Sequence, residues 1–242
     1  MRFKLIVSYD GTNFHGFQKQ EELRTVEGEL EKALTKICKQ QIEVYASGRT
    51  DKGVHAIGQV IHFDTTINIT CDGLKRAINS ILPKDIYVSN VESVEKTFHA
   101  RYSAVKKEYH YLVDIGEYNP FYANYRCYYM YKNLNIEAMK KCCEIFIGTH
   151  DFRSFTKNSE ALNTVRTIYD LEIICKENLL TFKFVGNGFL HNQVRIITAM
   201  ILEVGRGKLS VDDLIVVRDA KNRTFAPKVL GGEGLYLISV NY

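Results

Sequence analysis

Between Ser47 and His55 the sequence reads Ser-Gly-Arg-Thr-Asp-Lys-Gly-Val-His, which loads Ser47, Arg49, Asp51 and His55 onto one short connection with two glycines. An aspartate with an ordinary pKa of about 3.9 is ionised at neutral pH, so Asp51 offers a carboxylate as reagent. Functional residues concentrate on loops held by rigid scaffolds. The same stretch is also good turn chemistry, because Gly53 can take positive φ behind Thr50-Asp51-Lys52. Turn and site both remain open on these residues alone.

Other chemistries fare worse. Gly48 and Gly53 have the glycine spacing of a phosphate-binding loop, but Val54 and His55 stand where Lys and Ser/Thr are needed. The seven histidines form no His-Glu-x-x-His pattern, the cysteines show no zinc-type spacing, and no metal site is expected. No Gly-x-Ser-x-Gly elbow exists. His150-Asp151 reads as a helix-end cap followed by a loop acid. Arg195 falls in the first turns of an apolar helix, where it opposes the helix dipole. A buried arginine there needs a carboxylate or phosphate partner. Asp51 has the complementary need, since burial without a nearby cation would neutralise it. An Asp51–Arg195 pair would satisfy both, although for Arg195 the sequence alone slightly favours a separate structural salt bridge.

The elements that must position these residues follow from periodicity. Phe3–Tyr9 alternates as a strand, as do Ile42–Tyr45, Gln59–Asp64 and Asp85–Val91. Thr25 caps a helix running to about Lys39, with Val26, Leu30, Ala33, Leu34 and Ile37 as its apolar stripe. Thr70 caps a second helix that Pro83 stops. The order β-α-β-β-α-β is that of a ferredoxin-like or RRM-like unit. A boundary is placed at Thr97–Ala100, giving domains 1–100 and 101–242. In the second half, strands are expected over Arg101–Val113, Thr167–Cys175, Leu179–Val185 and Gly234–Val240. Helices are expected after Asn135, over Leu190–Val204 with Leu190, Val194, Ile197 and Ile201 as its buried stripe, and after Ser210. Nine of the 15 tyrosines lie between Tyr102 and Tyr131, where they serve strand packing or stack bases.

The 242 residues, 45% hydrophobic and 25% charged, describe an ordinary globular chain. The net charge of +4 could come entirely from residues 183–228, and it neither proves nor opposes a polyanion partner. The six cysteines read as free, mostly buried thiols of a reducing compartment. Met1–Val7 is too short an apolar run for a signal peptide, and no segment approaches the roughly 20 apolar residues of a membrane span. A cytoplasmic protein is expected.

Five ordered blocks resemble the TruA-type tRNA pseudouridine synthase family. They are Tyr9–Thr12 with Phe14–Gln18; Gly48–Ala56; Phe98–Ala104 with Tyr109 and Tyr111; Gly188–Leu190 through Val194-Arg195; and Glu233–Leu237. The resemblance implies an α+β fold of two RRM-like domains, with mainly antiparallel sheets flanking a central RNA-binding cleft. It implies a homodimer, tRNA as partner, and neither cofactor nor metal. The implied reaction isomerises uridine to pseudouridine at positions 38, 39 and 40 of the anticodon stem-loop. The family's catalytic aspartate maps onto Asp51, its paired arginine onto Arg195, its base-facing tyrosine onto Tyr109 and its base-packing leucine onto Leu235. Arg49 and His55, beside Asp51, are further substrate-binding candidates. Two departures stand out: Val229-Leu230-Gly231-Gly232 replaces a Thr-Ala-Pro-Ala run, and Gln193 replaces a methionine. They leave room for a paralogue with a shifted RNA target. The alternative of another class is a non-catalytic protein of two RRM-like domains, which would carry an aromatic RNP1-like strand that is not found here.

Overall fold

The computed structural model of the chain describes residues 1–158 and 162–242. The chain divides into two units, Met1–Val105 with Tyr236–Tyr242, and Lys106–Leu235. It is a mixed α+β fold with mostly antiparallel strand pairs.

The first unit runs β1 (Arg2–Tyr9), α1 (Val26–Cys38), β2 (Tyr45–Ala46), β3 (His55–Asp64), α2 (Cys71–Ile81) and β4 (Ile86–Val94), the expected β-α-β-β-α-β order. Along β1, Phe3, Leu5, Val7 and Tyr9 are buried while the residues between them are half-buried. That two-residue period commits one face to the core. β1 pairs antiparallel with both β3 and β4, and Phe3 stacks on Phe63 with ring centroids 5.8 Å apart. Thr25 and Thr70 cap their helices by accepting from Gly28 N and Gly73 N, each cap worth typically about 1 kcal/mol. The strand expected over Ile42–Tyr45 shrinks to the two residues of β2. Ile42 N donates to Thr35 Oγ1 and Val44 N to Glu31 Oε1, both at 3.2 Å. Side chains of α1 therefore take the backbone donors that a sheet neighbour would have taken.

The second unit contains β5 (Lys106–Asp114), β6 (Cys127–Tyr128), α3 (Ile136–Phe146), β7 (Gly148–Asp151), β8 (Val165–Lys176), β9 (Leu179–Gly186), α4 (Gln193–Gly205) and α5 (Val211–Asp219). Its strands run antiparallel in the order β5-β9-β8-β7, and α3 packs on β8, α4 and α5. β5 starts at Lys106 rather than Arg101. His99 Nδ1 accepts from Arg101 N and Ser103 N donates to His99 O, which closes a turn there instead. His150-Asp151 lies on β7, not at a helix end, and Asp151 accepts from Arg153 N and Thr164 Oγ1 as a structural group.

α4 departs from expectation in two ways. It begins at Gln193, because Asn192 sits at φ 63° in the left-handed region. It is also not striped: every residue of α4 except Arg195 is buried. A helix apolar on all sides is an interior one.

The last strand, β10 (Leu235–Asn241), pairs parallel with β3 at Tyr236↔His55 and Leu237↔Ala56. The first unit therefore contains a strand that comes from beyond the second, whereas the sequence boundary had assigned it to residues 101–242. All six cysteines are free, and four are buried. No helix among the described residues is long and apolar enough to cross a membrane.

Candidate active site

Asp51 lies in the connection from β2 to β3, half-buried, where the chain turns through Gly53 at φ 76°. Both sides of this connection are fastened. Ser47 N donates to Val60 O at 2.8 Å, and Ser47 Oγ donates to Gln59 Oε1 at 2.7 Å. Gln59, fully buried, returns its amide to Gly48 O at 2.8 Å. Thr50 is held at its carbonyl and its hydroxyl, with Phe17 N donating to the carbonyl at 3.0 Å and Tyr9 Oη 2.8 Å from Oγ1. Burial pushes the Tyr9 phenol up to about 12, so Tyr9 stays neutral at physiological pH. Val54 N closes the turn by donating to Asp51 O at 3.2 Å.

The N-terminal loop lies directly against this turn. Gly11 N donates to His55 Nδ1 at 3.0 Å, which fixes that ring nitrogen as an unprotonated acceptor. Asp10 Oδ1 lies 3.3 Å from the same nitrogen. His55 is only 2% exposed and stacks on Tyr236 at 4.6 Å, a position that holds the loop down rather than reaching outward. A Cβ on Gly16, at φ 96°, would fall 2.9 Å from Thr50 O, and one on Gly11 would fall 2.6 Å from the Val54 carbonyl carbon. The two loops approach as closely as glycine allows. Arg49, in contrast, is exposed.

The second unit carries the other candidates. Tyr109, on β5 opposite Phe184 of β9, is 9% exposed and meets the edge of Phe189 at 5.3 Å. Arg195 is the third residue of α4, and its Nε donates to Leu230 O at 2.7 Å. Leu235, 7% exposed, opens β10 and donates its N–H to Gly232 O at 2.9 Å. Gln193 is fully buried and accepts from Leu190 N at 2.8 Å through Oε1, while its Nε2 has no hydrogen-bond partner among the described residues. No group of three or more potential metal ligands occurs among the described residues.

Sequence reasoning named Asp51 but missed the residues that fasten its loop: Tyr9, Thr50 and Gln59. Tyr9 ends an alternating strand and opens one of the resembling blocks, and Gln59 begins a strand, but neither pattern points to the bonds that hold the turn. Their roles are hydrogen bonds across 41 and 12 residues, which local pattern does not encode.

A family model described as tRNA pseudouridine synthase matches residues 5–103 and 142–242, and the chain belongs to that family. The curated relatives it resembles narrow the class further. The tRNA pseudouridine synthase A of Anoxybacillus flavithermus is 48% identical over 243 residues, covering 100% of this chain and 98% of that protein. Those of Limosilactobacillus reuteri and an Exiguobacterium species are 48% and 45% identical, again over 100% of this chain and over 96% and 98% of their own lengths.

Proposed function

We propose that this chain isomerises uridine to pseudouridine in tRNA, at positions 38, 39 and 40 of the anticodon stem-loop, as a cytoplasmic homodimer. The observation that carries the reading is the Asp51 turn, fastened through Ser47, Thr50 and Val54. A reacting carboxylate must be held to within a fraction of an ångström, and this turn has the fastenings to do so.

The reaction breaks the bond from N1 of uracil to C1′ of ribose, rotates the base and forms a bond from C5 to C1′. C5 loses a proton and N1 gains one, so no outside reactant is consumed. The uridine first leaves the RNA stack, at a cost of a few kcal/mol. Asp51 supplies the carboxylate, and Arg195 keeps it ionised. Tyr109 offers a ring face to the base and a hydroxyl for proton removal from C5. Leu235 packs on the base, and exposed Arg49 meets backbone phosphate. His55 serves by anchoring the turn.

Asp51→Asn tests this directly. The variant is expected to make no pseudouridine while binding tRNA nearly as the wild type does, because phosphate contacts dominate affinity. Primer extension after carbodiimide treatment reads the product, and undiminished pseudouridine would sink the assignment. Mapping pseudouridines in tRNA from cells with and without the protein reads the positions.

A further inference from the structure

The segment Val229–Gly232 was conspicuous for departing from the family's usual run. Two of its main-chain carbonyls accept side-chain hydrogen bonds: Leu230 O from Arg195 Nε at 2.7 Å, and Gly231 O from Tyr111 Oη at 2.8 Å. Two successive carbonyls thus hold a site arginine and a buried tyrosine. Tyr111 is fully buried on β5, two residues beyond Tyr109. Burial, with Cys127 beside it, drives its phenol well above the ordinary value, so the hydroxyl keeps its proton and donates. The ring is wedged in place. A Cβ on Gly234 would come within 2.9 Å of its Cζ, and Leu112 N donates to Gly234 O at 2.8 Å.

We infer that Tyr111 is a positioning residue for the pseudouridine reaction, acting as a strut that fixes the Leu230–Leu235 segment and, through the Leu230 carbonyl, the guanidinium of Arg195. This rests on the role proposed above for Arg195. The bond from Nε fixes the plane of the guanidinium, because its five N–H groups form a rigid fork. Rotation of the peptide between Leu230 and Gly231 would swing the carbonyl that sets this plane. The Tyr111 hydroxyl holds the next carbonyl along and opposes that rotation. Since both contacts use backbone oxygens, side chains at 229–232 can change while the strut persists, which accounts for the departure being tolerated.

The test is Tyr111→Phe, which removes one oxygen and keeps the ring. Single-turnover pseudouridine formation with saturating enzyme on unmodified tRNA is measured beside tRNA Kd and thermal unfolding, with rates read per folded molecule. The rate constant is expected to fall about tenfold or more, as sub-ångström misplacement of a site group does, with Kd within about twofold of wild type. Incorporating 4-aminophenylalanine at position 111 restores a donor and is expected to restore most of the rate. In an Arg195→Lys background, which has no Nε–H, Tyr111→Phe is expected to add less than about twofold, the non-additivity of coupled groups. A wild-type rate in Tyr111→Phe, no rescue by the amine, or an undiminished effect in the lysine background would overturn the strut. Wild-type protein that makes no pseudouridine would instead overturn the function it serves.

Discussion

Gly11→Ala is the sharpest probe of the fastened turn, because it changes no group that touches substrate. At Gly11 the new Cβ would sit 2.6 Å from the Val54 carbonyl carbon and nearer still to its oxygen, whereas ordinary contact begins at 3.4 Å. The difference, 0.8 Å, is the least by which the N-terminal loop and the Asp51 turn must part. Val54 is three residues from Asp51 and bonded to its carbonyl, so the displacement reaches the carboxylate. A shift approaching 1 Å is expected to slow single-turnover product formation on the order of 100-fold. Overpacking of this kind also costs roughly 1–3 kcal/mol of stability. Gly207→Ala is the control: its φ of 71° strains an alanine, but nothing lies within 4 Å of the added carbon. It is expected to lower Tm slightly and leave the rate unchanged. A Gly11→Ala enzyme with wild-type Tm and a rate within twofold of wild type would refute the idea that the two loops are locked together.

Two further outcomes follow from buried polar groups. Burial, with Arg2 and His99 nearby, lowers the pKa of His62 to about 4 from an ordinary 6.5. Between those values the unfolded chain holds the extra proton, so stability is complete above pH 6.5 and falls as pH drops toward 4. By pH 5 the loss is about 2 kcal/mol. The drop in Tm from pH 7 to pH 5 should therefore be smaller in His62→Gln by about 4–8 °C, and equal drops would refute the assignment. Gln193→Met removes a buried amide donor that has no partner, but it also removes the acceptor for Leu190 N. The gain and the loss are each about 1–3 kcal/mol, so melting within a few degrees of wild type is expected. A Tm more than 10 °C lower would mean that the amide is held by the fold.

What the sequence made legible was local. Thr25, Thr70, Asn135 and Ser210 all cap helices through their side chains, and Ser210 with Asp213 forms a full capping box. These signals lie within three residues of the groups they satisfy. The Asp51 turn was equally readable, since Gly53 and the strand that follows it specify it. What stayed hidden was nonlocal or carried by backbone. Nothing in Ile42–Val44 announces that α1 side chains will take its N–H groups. The pattern of α4 looked like a stripe because its polar residues, Gln193, Thr198 and Glu203, are buried as well. Glu203 is tolerated there because Lys228 and Arg206 reach it at 2.6 and 3.0 Å. Leu230 has no side-chain signature for its role, because the atom that holds Arg195 is one that every residue possesses.

The return of β10 to β3 imposes an order in time. Residues 1–105 leave the ribosome without Tyr236, so His55 at first lacks the ring it stacks on and β3 lacks its parallel neighbour. The intervening Lys106–Leu235 takes roughly 6–26 s to synthesise at ordinary rates. Through that interval the Asp51 turn lacks the stacking of His55 on Tyr236 and the pairing of β3 with β10. On the role proposed for Asp51, the nascent first unit would carry its carboxylate incompletely mounted until Tyr236 has emerged.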